Sequence, residues 1–259
     1  TPGNTDLVNG SVELTLTAYG NGACNPSTDA MTLAITGAAL ANAGSDAEIC
    51  QGIAYLIEDA SAENYSSLLW QSNGNGLLID ENTLMPTYVP AQGETGDIIL
   101  TLNVFANGSC TDAVDSRLLS IKPMASVSAG NDASICQSET YFITSSSASH
   151  YSDILWTSSG NGSFDDPQII HPVYTPSPSD IANGSVILTF TAYGISPCEN
   201  VDDQMNLTIV PGALADAGQD AEVCQGNEFA ITDASADNYS NLVWTHNGQG
   251  TLSNPLIID

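Results

Sequence analysis

An internal repeat of 86 to 88 residues limits most strongly what this chain can fold into. Its opening motif reads ANAGSDAEICQG from residue 41, VSAGNDASICQS from residue 127 and ADAGQDAEVCQG from residue 215. Trp70, Trp156 and Trp244 recur at the same spacing as the motif. A period of this length matches one small domain, so the sequence predicts a row of homologous domains.

The repeat divides the chain into two complete and two partial copies, joined by short linkers near Pro123 and Pro211. The expected domains are the C-terminal part of a repeat at 1–38, complete repeats at 39–124 and 125–212, and the N-terminal part of a repeat at 213–259. We expect the copies to lie end to end with stiff coupling. We also expect the chain to be a window of a longer periodic fibre, in which neighbouring residues or another copy complete each partial repeat.

Apolar and polar residues alternate along the segments of each repeat, and clusters of Gly, Pro and Asn separate those segments. Val186, Leu188 and Phe190 are expected to face the core, with the residues between them facing water. A period of two broken by turn residues is typical of half-buried antiparallel strands. About seven short strands around one Trp predict an all-β fold of tandem immunoglobulin-like β-sandwich repeats, each about 87 residues long.

The charge of the chain excludes two classes of partner. Thirty acidic residues stand against two basic ones, Arg117 and Lys122, which gives a net charge of -28. Binding to nucleic acid needs clustered Lys and Arg, and so does binding to an anionic membrane surface. No stretch approaches the roughly 18 apolar residues of a membrane span, so no direct membrane insertion is expected in this segment.

Six cysteines occupy only two positions of the repeat, which predicts disulfides and an oxidising compartment. Pairing within repeats is the expected register, and it leaves Cys24 and Cys224 with partners outside the chain. Its bonds are Cys50–Cys110 and Cys136–Cys198. Pairing between repeats stays open as an alternative, although strands of about 33 Å make it awkward. Its bonds are Cys24–Cys50, Cys110–Cys136 and Cys198–Cys224. Six free buried thiols are the third alternative.

Acidic residues recur in phase with the repeat, both in the opening motif and before the closing strand. They include Asp46, Asp115, Asp132, Asp203 and Asp220. Carboxylates on loops at the junctions between repeats are able to share Ca²⁺, which takes six to eight oxygen ligands. The alternative is that each Asp caps a turn through its own side chain. Calcium is therefore the one cofactor that the sequence suggests, and no other is expected.

No catalytic constellation emerges from the sequence. The three histidines do not share a repeat position, and no Ser-His-Asp arrangement or nucleophile elbow is present. Trp70, Trp156 and Trp244 follow LL, IL and LV, which favours a core role over a sugar-stacking role. We therefore expect a protein that is not an enzyme.

The order of motifs in the repeat resembles a known family. AGxDxxxCQG is followed by YSxxxW, a Gly-rich turn, a YxP strand, LTxxxxG, a Cys and a closing strand. This order resembles the PKD/Ig-like repeats of very large bacterial adhesins, including the gliding-type adhesins exported by type IX secretion. The resemblance spans the whole chain. It implies a PKD-like sandwich fold and a long extracellular stalk or filament anchored at the bacterial cell surface.

The expected function is therefore structural, and the expected partners are neighbouring repeats of the same protein and other copies in a fibre. The alternative function is an adhesive module in which the repeats themselves bind a glycan or a protein. Loops vary between copies, as in NGSCTDAVDS against GISPCENVDD, but they gain no aromatic or basic cluster. This pattern favours the spacer over the binding module.

Overall fold

The computed structural model describes residues 1–258. Their contacts divide the chain into two compact units. The first consists of Thr1–Met124 together with Ile195–Glu199, and the second of Ala125–Gly194 together with the chain from Asn200 onward. Ile195–Glu199 of the second complete repeat thus belongs to the first unit, so the units and the repeats do not coincide. The division into four repeat segments stays a prediction.

Residues 1–38 form one short helix and one hairpin. The elements are α1 (Asn4–Asn9), β1 (Ser11–Ala18) and β2 (Ser27–Ala34). β1 and β2 pair antiparallel, and Leu14 and Leu16 on β1 are 48% and 75% exposed. The matching residues of the first complete repeat, Leu100 and Leu102, are fully buried. The hairpin thus has the sequence of a core hairpin without the opposing sheet that covers it in a complete repeat.

The first complete repeat contains nine strands. They are β3 (Leu40–Asn42), β4 (Ala47–Cys50), β5 (Tyr55–Leu56), β6 (Ser61–Glu63), β7 (Tyr65–Ser72), β8 (Leu77–Ile79), β9 (Thr87–Val89), β10 (Gly96–Ala106) and β11 (Ala113–Lys122). One sheet has the order β4-β11-β10-β7 and another has the order β5-β9-β8, while β3 pairs with β6. β4 runs parallel to β11, and the other pairs are antiparallel.

The core of this repeat follows from strand alternation. Every second residue of β10 is buried from Ile98 to Val104, and the same holds on β11 from Arg117 to Ile121. Trp70 from β7 is 2% exposed and Tyr88 from β9 is fully buried. Because strand side chains point alternately to the two faces, this pattern places one face of the four-stranded sheet in the core.

The second complete repeat has the same strand order with one added helix. Its elements are β12 (Ser126–Ser128), β13 (Ala133–Cys136), β14 (Tyr141–Phe142), β15 (Ser147–Ser149), β16 (Tyr151–Ser158), β17 (Ser163–Phe164), β18 (Val173–Thr175), α2 (Pro178–Asn183), β19 (Ser185–Gly194) and β20 (Val201–Val210). The sheets are β13-β20-β19-β16 and β14-β18-β17, with β12 paired to β15. β13 again runs parallel to the closing strand, β20.

Burial in this repeat confirms two predictions. Val186, Leu188 and Phe190 are 0–3% exposed, as the alternation along their segment predicts. Trp156 is 2% exposed and stacks on Phe190, with ring centroids 4.4 Å apart. The tryptophans of both complete repeats therefore belong to the core.

The all-β immunoglobulin-like fold is confirmed, but each complete repeat has nine strands where about seven are predicted. In the second repeat the additional strands are β12 and β15, of three residues each, which pair with one another. Three residues are too few to show an alternating pattern, so such strands are not visible in the sequence. The helix α2 was also not predicted.

Residues 213–258 contain two short strands, β21 (Leu214–Asp216) and β22 (Ser235–Asp237), which pair antiparallel. Phe229 and Val243 are 55% and 61% exposed here, although they belong to the opening half of a repeat. Among the helices of residues 1–258, none has the length and apolar character needed to cross a membrane.

Candidate functional site

The aspartate of the opening motif bonds to the closing strand of its own repeat. Oδ1 of Asp46 accepts a hydrogen bond of 2.8 Å from the backbone N–H of Leu118, and Oδ1 of Asp132 accepts one of 2.8 Å from Asn206. The two bonds occupy equivalent positions of the two complete repeats. All three aspartates of this motif, Asp46, Asp132 and Asp220, are exposed.

The aspartate of the closing strand bonds back in the opposite direction. Oδ2 of Asp115 accepts from the N–H of Ala43 at 2.7 Å, and Oδ2 of Asp203 accepts from Ala129 at 2.9 Å. Both alanines are fully buried, so these carboxylates satisfy donors that water does not reach. Each complete repeat thus uses two aspartates to fasten its opening turn to its last strand. These long-range bonds replace the local turn role expected as the alternative to calcium.

The predicted calcium ligands do not converge on one point in the structure. Within residues 1–258, no group of three or more His, Cys, Asp or Glu side chains is arranged to hold a metal ion. One carboxylate oxygen of each of Asp46, Asp115, Asp132 and Asp203 accepts a hydrogen bond from a backbone N–H group. The calcium hypothesis stays a prediction, and it needs its own measurement.

A buried tyrosine hydrogen-bonded to a carboxylate recurs in both complete repeats and was missed in the sequence. In the first, Glu94 accepts hydrogen bonds from the Tyr88 hydroxyl and from the N–H groups of Asn75 and Ala91. These bonds hold the Gly-rich turn against the core. A Cβ on Gly76 would lie 2.4 Å from the carbonyl oxygen of Val89, which explains why this turn requires glycine.

In the second repeat Asp180 takes the place of Glu94 and is 1% exposed. Its Oδ2 accepts from the Tyr174 hydroxyl, Gly162 N and Ser177 N, all at 2.9 Å, and its Oδ1 accepts from Asn161 N at 3.0 Å. The carboxylate therefore joins the Gly-rich turn, the core tyrosine and the start of α2.

Asp180 lies in the first turn of helix α2, which places its carboxylate beside the Gly-rich turn. Ser177 is the N-cap residue and accepts a bond from Asp180 N, Pro178 begins the helix, and Gly184 ends it in the left-handed conformation. A serine followed three residues later by an acidic residue is a capping box. The segment SPSD followed by NG was therefore the signal in the sequence that would have identified both α2 and the role of Asp180.

The carboxylates of Asp180 and Glu94 are both held in the charged form. Burial raises the pKa of Asp180, but the hydrogen bonds from Ser177, Asn161 and Tyr174 outweigh it, so the pKa lies below its ordinary value. The same balance holds for the pKa of Glu94, where bonds from Asn75 and Ala91 outweigh burial. A general acid needs a raised pKa, so neither group is tuned for proton donation near neutral pH.

Arg117 is the one buried cation among the described residues, and it belongs to the first complete repeat. It donates to Asp59 and to the Tyr55 hydroxyl at 2.5 Å each, and to the carbonyl of Ala43 at 3.2 Å. In the second repeat the matching residues are Met205 and Ser145 in place of Arg117 and Asp59. The ion pair is therefore specific to one copy and is not part of the repeated scaffold.

The structure contains a disulfide between Cys50 and Cys198, which corrects the predicted pairing. The predicted bonds Cys50–Cys110 and Cys136–Cys198 are both excluded, because each would use a cysteine that is already bonded. The free cysteines are Cys24, Cys110, Cys136 and Cys224, so the alternative register between adjacent repeats is not formed either. The loop Ile195–Glu199, which contains Cys198, belongs to the first compact unit.

Strand direction explains why pairing within a repeat fails. In the parallel pairing of β4 with β11, Cys50 lies opposite Lys122 at the end of β11. Cys110 lies in the loop before β11 begins at Ala113. A strand of this length spans about 30 Å, at about 3.3 Å per residue. Disulfide formation requires Cα atoms within about 7 Å. The two cysteines of one repeat therefore lie at opposite ends of its closing strand.

No protein family and no curated protein matches this sequence. Among solved structures, the chain is similar to three tandem immunoglobulin domains of titin in an E-to-A mutated variant. The TM-score is 0.49 with 8% identity, over 77% of this chain and 74% of that chain. It is also similar to immunoglobulin domains 1–4 of Sidekick-1, with a TM-score of 0.42 and 16% identity over 74% of this chain and 56% of that chain. For cadherin domains 3–6 of protocadherin gamma B2, the TM-score is 0.39 with 13% identity, over 79% and 60%. At these identities the likeness concerns the fold alone.

Proposed function

We propose that this chain is a stalk or filament segment of a long bacterial surface protein of the adhesin class that its repeat resembles. The role proposed is mechanical: the repeats act as spacers that carry tension outside the cell. The observation that carries the proposal is the direction of the strands at the two ends of each complete repeat. β4 pairs with β11, and β13 with β20, in parallel.

Parallel pairing of the opening and closing strands determines how tension acts on a repeat. The chain runs into the repeat along one strand and leaves along the other, so a pull on both ends slides the two strands in opposite directions. The hydrogen bonds between them are then loaded together in shear. An antiparallel hairpin such as β1–β2, pulled at its open end, loses its bonds one pair at a time. A shear geometry in each copy suits a segment that transmits force.

The polar chemistry of the repeats supports the same role. In both complete repeats the repeated carboxylates bond to backbone N–H groups and to a core tyrosine, which strengthens each sandwich. The lowered pKa values of Glu94 and Asp180 suit this structural use and not acid catalysis. We therefore propose that the segment has no catalytic activity.

An extracellular location is part of the proposal. The Cys50–Cys198 disulfide is of the kind that persists in oxidising compartments. A net charge of -28 favours solubility and mutual repulsion between neighbouring chains. The proposed partners are further repeats of the same protein and other copies in a fibre, and the bacterial source rests on the resemblance of the repeat motifs.

Single-molecule force measurements on the reduced chain test the mechanical role. We expect one unfolding event for each complete repeat, with a gain in length equal to the extended length of roughly 290 Å, at about 3.4 Å per residue, minus the span of the folded repeat. Each event should require more force than the opening of the β1–β2 hairpin in the same molecule. Opening of the complete repeats at forces no higher than the hairpin would contradict the proposal.

A single substitution gives a matched control inside one molecule. Gln51 N donates to Lys122 O at 2.8 Å, and Gln137 N donates to Val210 O at 2.9 Å in the second repeat. Gln51→Pro removes the first bond, because proline has no N–H. We expect the rupture force of the first repeat to fall while that of the second stays unchanged. Saturable binding of the intact chain to a glycan array or to cells would instead favour the adhesive binding module.

A further inference from the structure

The opening cysteine of each complete repeat lies where the chain leaves that repeat. Cys50, the last residue of β4, pairs with Lys122, the last residue of β11. Cys136, the last residue of β13, pairs with Val210, the last residue of β20. Parallel pairing thus brings a cysteine from the start of each repeat to its exit.

The loop cysteine of each complete repeat lies where the preceding repeat ends. Sγ of Cys198 is 3.6 Å from the carbonyl oxygen of Lys122 and 3.5 Å from that of Pro123. Sγ of Cys110 is 3.5 Å from the carbonyl oxygen of Thr36. Thr36 and Lys122 hold the same position in successive copies of the repeat, 86 residues apart. The free loop cysteine and the bonded one therefore occupy equivalent places at two successive junctions.

The observed disulfide joins these two positions, since it links the exit cysteine of one repeat to the loop cysteine of the next. We propose that this is the general pairing rule of the array, with one such bond across every junction between repeats. Under this rule Cys136 and Cys224 bond to loop cysteines of later repeats. Cys24 and Cys110 bond to opening cysteines of earlier repeats. The rule rests on the geometry of the repeats and does not depend on the proposed mechanical function.

The same rule explains why four thiols are free in this chain. The rule joins an opening cysteine to a loop cysteine about 148 residues later, which is the separation of the observed bond. Among the six cysteines of the sequence, only Cys50 and Cys198 have this separation. The number of free cysteines in the structure is thus the number that the rule requires.

Formation of each bond is an ordinary thiol–disulfide exchange. The thiolate of one cysteine attacks an external disulfide, such as oxidised glutathione, and releases one thiol. The thiolate of the partner cysteine then attacks the mixed disulfide, which closes the protein bond and releases the second thiol. The two protein thiols are oxidised, and the external disulfide is reduced to two thiols.

Thiol counting on the intact chain tests the observed bond. After oxidation at low protein concentration and unfolding in the presence of an alkylating agent, the wild-type chain should label at four cysteines. Cys198→Ser should label at five, because Cys50 then has no partner, and Cys110→Ser should label at three. A new Cys50–Cys110 bond in the first variant, or a free Cys50 in the second, would overturn the assignment.

A lengthened chain tests the rule itself. A second copy of residues 125–212, inserted after Gly212, supplies one further junction to the full sequence. Ser134→Thr and Ile195→Val in the inserted copy mark its two cysteine peptides by mass. The rule predicts that Cys136 bonds to the inserted counterpart of Cys198, while Cys50 keeps its bond to Cys198. Bonds within either copy of the repeat, or no second disulfide, would overturn the proposal.

Discussion

Asp180→Asn should destabilise the second complete repeat by about 3 kcal/mol or more. The substitution keeps the shape of the side chain but removes the charge that accepts four hydrogen bonds, three of them at Oδ2. Bonds to a charged acceptor are worth about 1 kcal/mol more than neutral ones, so three retained bonds weaken by about 3 kcal/mol in total. If the oxygen of the new side-chain amide takes the Oδ2 position, its NH2 group takes the Oδ1 position. It then faces the backbone N–H of Asn161, so two donors meet and the fourth hydrogen bond is lost.

Hydrogen exchange of the β19 amides measures this effect within the second repeat. A loss of 3 kcal/mol corresponds to exchange about 150-fold faster, since each 1.4 kcal/mol is a factor of ten. Asp202→Asn is the matched control, because Asp202 is exposed on β20 in the same repeat and loses the same charge. We expect the control to exchange at the wild-type rate.

The pH dependence of the difference separates the charge from the shape. The pKa of Asp180 in the folded protein lies below its ordinary value. Its contribution to stability is therefore fully present above the unfolded pKa of about 4, and it is lost as the pH falls through the folded pKa. The gap between wild type and Asp180→Asn should narrow below about pH 4. A gap of equal size at neutral and strongly acidic pH, or no gap beyond that of the control, would refute the reasoning.

Three further measurements follow from the repeat scaffold. Arg117→Met should destabilise the first repeat by about 1–2 kcal/mol, because the buried carbonyl of Ala43 loses its donor; denaturant titration of the variant checks this. Asp132→Ala should lower the melting temperature of the second repeat through the loss of about 1 kcal/mol, whereas Asp220→Ala should leave it unchanged, because residues 213–258 contain no closing strand for Asp220 to bond to. Calcium bound by the repeated aspartates would raise the melting temperature by several degrees over that in chelator, since a ligand at 100 times its Kd adds about 2.7 kcal/mol; equal melting curves would contradict a calcium site.

The core was accessible from the sequence because its signals are local. The residues before Trp70 and Trp156 are aliphatic, and the alternation around Leu188 extends over a whole strand. Burial of every second residue follows directly from such a pattern, and both predictions are confirmed. The repeat adds weight to each signal, because the same pattern appears more than once.

The partners of the polar residues were not accessible, because they lie far away in the chain. The phase of Asp46 marked it as a repeated residue, but its hydrogen-bond donor, Leu118 N, is 72 residues later. The position of Cys50 relative to Cys110 depends on whether the opening strand runs parallel or antiparallel to the closing strand. Nothing in a local pattern of apolar residues states that direction, so the disulfide register was predicted incorrectly.

The disulfide also changes what one proteolytic cut does to the molecule. Cys50 and Cys198 are 148 residues apart in sequence, so any single cleavage between them leaves two pieces that are still covalently joined. Under the proposed pairing rule, successive bonded loops overlap, because Cys136 opens its loop before Cys198 closes the previous one. Every peptide bond inside a long array would then lie within at least one loop. A protease that nicks one exposed turn would leave the length of such a fibre intact unless its disulfides were also reduced.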